Sequence, residues 1–295
     1  MATTTTTYTK QTLDVPGATL YYEVRGNGPV LLMMPGGPAD ATTFRQIEND
    51  LAKRFTVVTY DPRTYSHSVL KEPVEDSQMV KVFADDAHRL LKKVAGDAFN
   101  KSQPGAEGQK SSIFASSGGA TIALELIVRH PEQIETVICH EPPSPALMPN
   151  KAETRRGMEH VCETCETAGL FPAMQEFMTL VGVQGGPPQG DGHEPTGEEK
   201  EQQALMMGNM NYFFGRYIRN IARYEPDLDA IAKAPCRVIG AVGAESDATT
   251  QLACAGGKRL AQIVGSEPAV FPGDHGGFDG RPKEFAAKLI EVLAK

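Results

Sequence analysis

The stretch Ser112-Ile113-Phe114-Ala115-Ser116-Ser117-Gly118-Gly119-Ala120 restricts the fold more than any other part of the chain. A short apolar run that reads as a strand breaks at a serine pair. A glycine pair then opens the apolar segment 120–128, which reads as a helix. Strand and helix joined so closely need a sharp turn, and the residue at its apex is forced into a strained backbone conformation. Positions two before and two after the apex must be small so that the two elements can pass, and Ala115 and Gly119 meet this around Ser117. Small-x-Ser-x-small is the pattern of a nucleophile elbow, which exposes a serine hydroxyl at the positive end of a helix. By itself a Ser-Ser-Gly-Gly run is also an ordinary flexible loop, so the reading depends on the surroundings.

Upstream, Val30-Leu31-Leu32-Met33-Met34 is apolar without alternation, the pattern of a strand buried on both faces. It ends in Pro35-Gly36-Gly37-Pro38, a loop with few side chains over its backbone N–H groups, and the amide of Gly37 is the candidate to face a developing oxyanion. Further strands are expected at 12–15, 19–25, 55–60, 134–139, 237–243 and 269–271, and helices at 42–53, 77–95, 201–223 and 282–293, with a surface loop at 96–110. This alternation is that of a doubly wound parallel sheet, which takes ligands at the carboxyl ends of its strands.

The alternation stops between 144 and 227. We therefore expect a flexible tail at 1–10, a core built from 11–143 and 228–295, and a helical cap inserted at 144–227 that includes a disordered-looking stretch, 185–195. The helix at 201–223 carries Met210, Phe213, Phe214 and Tyr217 on a wide apolar surface. Such a surface packs a core or lines an adaptable apolar pocket, and one helix can do both.

A net charge of −8 argues against nucleic acid or an anionic membrane as a partner, since both are polyanions. The N-terminus has no basic start followed by an apolar core, and no apolar run reaches the length of a membrane span, so a cytosolic location is expected. Five cysteines are an odd set that suits reduced thiols. Cys162-x-x-Cys165 has no second pair to complete a zinc site and reads as helix surface and core. No dinucleotide fingerprint or phosphate loop is present, so no cofactor and no metal are expected. The expected partner is a small-molecule substrate, with a homodimer as the assembly left open.

Ser117, Glu141 and His275 each follow an expected strand, in the chain order Ser, acid, His. With these residues, the Pro35-Gly36-Gly37-Pro38 loop, Tyr60-Asp61-Pro62-Arg63 and Pro272-Gly273-Asp274-His275, the chain resembles the α/β-hydrolase superfamily over nearly its whole length. The resemblance implies a mostly parallel, doubly wound, eight-stranded sheet with a helical cap. The Cys139-His140-Glu141-Pro142-Pro143 stretch and the Ser-Ser-Gly of the elbow are also similar to fungal zearalenone-type lactonases.

The implied chemistry gives each residue a task. Ser117 is the nucleophile and His275 the base that takes its proton. A carboxylate orients the imidazole, and the amides of Gly37 and Gly118 form the oxyanion hole. The usual acid position, after the strand ending near Val242, holds Ser246. That leaves Glu141, an alternative position used by some members of the superfamily, with Asp247 as second candidate. His140, adjacent to Glu141 in a strand, points to the opposite side and reads as a core histidine. Serine at the elbow favours hydrolysis of a carboxylic ester or lactone through an acyl-enzyme. The alternatives are carbon–carbon bond hydrolysis, cofactor-independent chemistry on the same triad, or a non-catalytic binding protein on the same fold.

Overall fold

Side chains along Ala18–Arg25 alternate between buried and half-buried, whereas those along Val30–Met34 and Thr56–Tyr60 are buried throughout, and this marks where the sheet passes from an outer strand to inner ones. The protein is seen here as a computed structural model that describes residues 7–102, 110–182, 196–247 and 251–294.

The elements β1 (Tyr8–Val15) and β2 (Ala18–Arg25) form an antiparallel hairpin. They are followed by β3 (Val30–Met34), α1 (Arg45–Leu51), β4 (Thr56–Tyr60), β5 (Val69–Leu70), α2 (Met79–Ser102), β6 (Ser111–Ser116), α3 (Gly118–Arg129) and β7 (Ile134–His140). Next come α4 (Lys151–Ala168), α5 (Leu170–Val181), α6 (Gly197–Tyr212), a π-helical turn (Phe213–Tyr217), α7 (Ile218–Arg223) and α8 (Leu228–Ala232). The chain closes with β8 (Arg237–Gly243), α9 (Leu252–Ile263), β9 (Ala269–Phe271), α10 (Gly277–Gly280) and α11 (Pro282–Leu293). Strand order is β1-β2-β4-β3-β6-β7-β8-β9, and every pairing from β4 to β9 is parallel.

The sheet divides two cores. Leu31 and Met33 of β3 pack in one with Ile47 and Leu51 of α1 and Phe285 and Leu289 of α11. Leu32 and Met34 pack in the other with Phe83 and Leu90 of α2 and Ile122 and Leu126 of α3. The period of two along a fully apolar strand thus feeds both layers. Among the described residues, no helix is long and apolar enough to cross a membrane.

Several expectations are corrected. Among the described residues the sheet has nine strands rather than eight: β5, two residues long and too short to show periodicity, pairs with Ala18 and Thr19 of β2. The expected tail at 1–10 ends early, because Tyr8–Lys10 already pair in β1 and the Tyr8 ring lies under the guanidinium groups of Arg25 and Arg45, at 4.5 and 4.8 Å. Where a surface loop is expected from 96, α2 continues to Ser102, and 103–109 lie outside the described residues. The helix expected at 201–223 is present, running without a gap from Gly197 to Arg223, with an unexpected π-helical turn at Phe213–Tyr217. The stretch 185–195 lies outside the described residues.

Candidate active site

Ser117 stands between the last residue of β6 and the first of α3 with φ 54° and ψ −125°. That is a left-handed conformation costly for a residue with a side chain, and such residues gather at functional turns. Its N–H donates to the His140 carbonyl at 2.9 Å, tying the apex to the neighbouring strand. Glycine is required on both sides of the approach. A Cβ on Gly119 would lie 2.4 Å from the Pro35 carbonyl oxygen, and one on Gly36 would lie 2.6 Å from Ser117 Cβ and 2.8 Å from Gly118 N. The Pro35–Pro38 loop is therefore seated against the elbow. Gly118 N–H is the first of α3, among the donors a helix leaves without an intrahelical partner.

At the end of β7 the chain turns through Glu141, itself left-handed at φ 52°. Its N–H donates to the Ala241 carbonyl at 3.0 Å. Its carboxylate is buried and fully engaged: Oε1 accepts from Gly243 N–H at 2.9 Å and Oε2 pairs with His275 Nδ1 at 2.6 Å. Burial would raise the Glu141 pKa, but the hydrogen bond from His275, the neighbouring imidazoles and the Gly243 amide outweigh it and hold the carboxyl down at about 2. With Glu141 ionised, Nδ1 of His275 is the protonated nitrogen and Nε2 is the one able to accept a proton. Asp247 lies exposed in the loop after β8, its N–H donating to Gln251 Oε1. The structure brings His275 to Glu141.

His140 is wholly buried among Phe114, Phe271 and Phe285, with ring centroids 5.7–5.9 Å away. Neither of its ring nitrogens has a hydrogen-bond partner among the described residues, and burial lowers its pKa to about 4, leaving it neutral. His140, Glu141 and His275 offer ligand atoms within 4.8 Å of one another. A metal held there would have to displace the Glu141–His275 pair.

Ser117 and His275 both line a cavity of about 340 Å³ together with Gly36, Gly37 and the apolar side chains Met210, Phe213 and Phe214. Tyr217 is not part of that lining. It is buried beneath the elbow, against Gly118 and the rings of Tyr65 and Phe83, because the π-helical turn carries it past the cavity wall. The sequence reading missed the facing wall, Met174, Phe177 and Met178 of α5, with Phe278 after His275. The signal was there: 174, 177 and 178 are the spacing of one helical face. Phe177, Phe213 and Phe214 meet edge to face, with centroids 5.0–5.6 Å apart. His275 is the one ionisable side chain among the lining residues.

No protein-family profile matches the chain. Over 293 residues it is 32% identical to the uncharacterized hydrolase YraK of Bacillus subtilis (strain 168), covering 96% of each protein. Over 296 residues it is 25% identical to the zearalenone hydrolase of Bionectria ochroleuca, covering 97% of this chain and 98% of that one. Among solved structures it superposes on the bromoperoxidase from Bacillus anthracis with a TM-score of 0.72 at 18% identity, over 97% of this chain and 100% of the other.

Proposed function

The chain belongs to the α/β-hydrolase superfamily, and within it we propose a serine hydrolase that cleaves a carboxylic ester or lactone of a small, uncharged, apolar substrate. The observation that carries the reading is the Glu141–His275 pair, opening on the same cavity as a serine held at φ 54°. An ionised, buried Glu141 fixes the Nδ1–H tautomer and stabilises the imidazolium that forms when Nε2 takes the Ser117 proton. Ser117 Oγ attacks the carbonyl carbon, and the negative charge that develops on oxygen faces the amides of Gly37 and Gly118. Collapse of this intermediate expels the alcohol, protonated by His275, and leaves an acyl-enzyme. Water, deprotonated by the same imidazole, then releases the acid.

Residues 144–227 act in this reading as a cap whose α5, the end of α6 and the π-helical turn after it supply the apolar wall. The substrate class follows from that wall. Phenyl rings and thioethers adapt to bulky apolar groups, and no lysine or arginine lines the cavity to offset a substrate carboxylate. A relative named for hydrolysing zearalenone supports hydrolysis as the reaction type.

The test is a panel of 4-nitrophenyl esters and neutral lactones, assayed with and without a serine-directed phosphonate, beside Ser117→Ala. Hydrolysis that is lost in the variant, with the phosphonate attached to Ser117, is the expected result. Absence of both turnover and labelling would favour a binding protein on the same fold.

A further inference from the structure

Ser66 lies in the loop after β4 with φ 44°, in the region that favours glycine, and Thr64, two residues earlier, has φ 79°. Serine at such a position costs conformational free energy that glycine would not, so its hydroxyl needs a reason. That hydroxyl sits at the centre of a hydrogen-bonded chain whose two ends are buried. Ser66 Oγ donates to Asp40 Oδ2 at 2.6 Å and accepts from Asn209 Nδ2 at 2.9 Å, while Ser66 N–H donates to Asn209 Oδ1 at 2.8 Å. Asp40 and Asn209 are 2% and 1% exposed and Ser66 is half-buried, so the two ends of the chain are held away from water.

The two ends of the chain each adjoin a different segment of the cavity lining. Asp40 directly follows the Gly36–Ala39 segment of the lining, and its Oδ1 accepts from both Thr42 N–H and Thr42 Oγ, ahead of Thr43, which lines the cavity too. Asn209 sits on α6, one residue before Met210 and four before Phe213. Tyr65 of the same loop packs against Tyr212 of α6, with centroids 5.7 Å apart.

We infer that Asp40, Ser66 and Asn209 form a positioning relay that sets the apolar wall of Met210, Phe213 and Phe214, at the end of α6 and in the π-helical turn, in register with the loop carrying Gly37, and so tunes which acyl groups are accepted. The inference rests on the proposed hydrolase reading. None of the three residues touches the reacting atoms. The loop keeps its own seat through Gly36 on the elbow and through Ala41 N–H on Asp61 Oδ1, so loss of the relay moves the wall rather than the oxyanion hole.

Ser66→Gly tests this directly, because glycine relieves the left-handed strain and removes the hydroxymethyl group with both Oγ hydrogen bonds, while the backbone N–H that donates to Asn209 stays. An acetyl group makes least use of the wall and an octanoyl group makes most. Relative to wild type, Ser66→Gly and Asn209→Ala should each lower kcat/KM for 4-nitrophenyl octanoate about 10-fold, equivalent to ~1.4 kcal/mol, and leave the acetate ester within about 2-fold. The double variant should be no worse than either single variant, since both cut one chain. Equal losses at every acyl length, losses that multiply in the double variant, or no loss at all would overturn the relay.

If the wild-type protein hydrolyses none of the esters, the hydrolase reading fails, and hydrogen exchange decides the relay alone. Ser66→Gly should then speed exchange at Thr42 and across 209–212 together. An effect at only one end, or at neither, overturns it.

Discussion

Glu141 Oε2 lies 2.6 Å from His275 Nδ1, although the two residues are 134 positions apart in sequence. The left-handed turn at Glu141 brings its carboxylate to this contact and at the same time to the Gly243 amide, so one side chain links the ends of β7, β8 and the loop after β9.

Glu141→Gln should therefore leave the fold in place and lower kcat by about a thousandfold or more, because the amide cannot hold the productive tautomer or stabilise an imidazolium. Asp247→Asn, an exposed change, should stay within about 3-fold of wild type, as surface substitutions away from such features typically do. Steady-state kinetics on one responsive ester settles the comparison, and the reverse pattern would move the acid to Asp247.

Acid sensitivity should fall into two windows. His140 is held at about 4 against its ordinary 6.5, so the unfolded chain takes up this proton first. Its contribution to stability is complete above pH 6.5 and is lost as pH falls toward 4. Glu141, held at about 2 against 4.5, contributes fully above pH 4.5 and loses its share as pH falls toward 2. His140→Met should flatten the upper window, narrow the lower one by removing an imidazole that helps hold Glu141 down, and stabilise the protein at neutral pH by about 1 kcal/mol or more, since it removes an unpartnered buried polar group. Urea unfolding at a series of pH values reads both effects.

Gly36→Ala should be far more damaging than a single methyl implies. Its Cβ would lie 2.4 Å from the Ser116 carbonyl oxygen and 2.6 Å from Ser117 Cβ, and neither is the free end of a flexible side chain. The loop must lift from the elbow, and a displaced oxyanion donor lowers kcat by about 100-fold or more. Far-UV circular dichroism should stay near wild type while turnover collapses.

Arg63→Met should destabilise the whole domain. Arg63 is fully buried and grips Asp86 of α2 with Nε at 2.8 Å and Nη2 at 2.7 Å, while Nη2 also donates to the Pro16 carbonyl. Removing Arg63 leaves the buried Asp86 carboxylate only the longer contact to the half-buried Arg89, at 3.7 Å, an effect of about 3 kcal/mol. Arg63→Met with Asp86→Leu should recover much of this loss in denaturant unfolding, because the buried charge is then gone as well.

Much of the fold and half of the site were legible without coordinates, for a local reason. Continuous apolar runs, turn residues and small neighbours around Ser117 act within a few positions, so they mark strands, the elbow and the Pro35–Pro38 loop wherever they occur. The stripe of Met174, Phe177 and Met178 was equally local and simply went unread.

Other features were settled by contacts far apart in sequence. Which carboxylate meets His275 depends on the paths of three loops, and no spacing distinguishes Glu141 from Asp247. Whether Tyr217 lines the cavity or backs Gly118 depends on a π-helical turn that the apolar pattern of α6 does not announce. The bond from Ser66 to Asn209 spans 143 positions. Local chemistry in the sequence determined which elements form and where the elbow stands; the burial of polar groups that must find partners, decided only in the tertiary structure, selected the residues that meet around it.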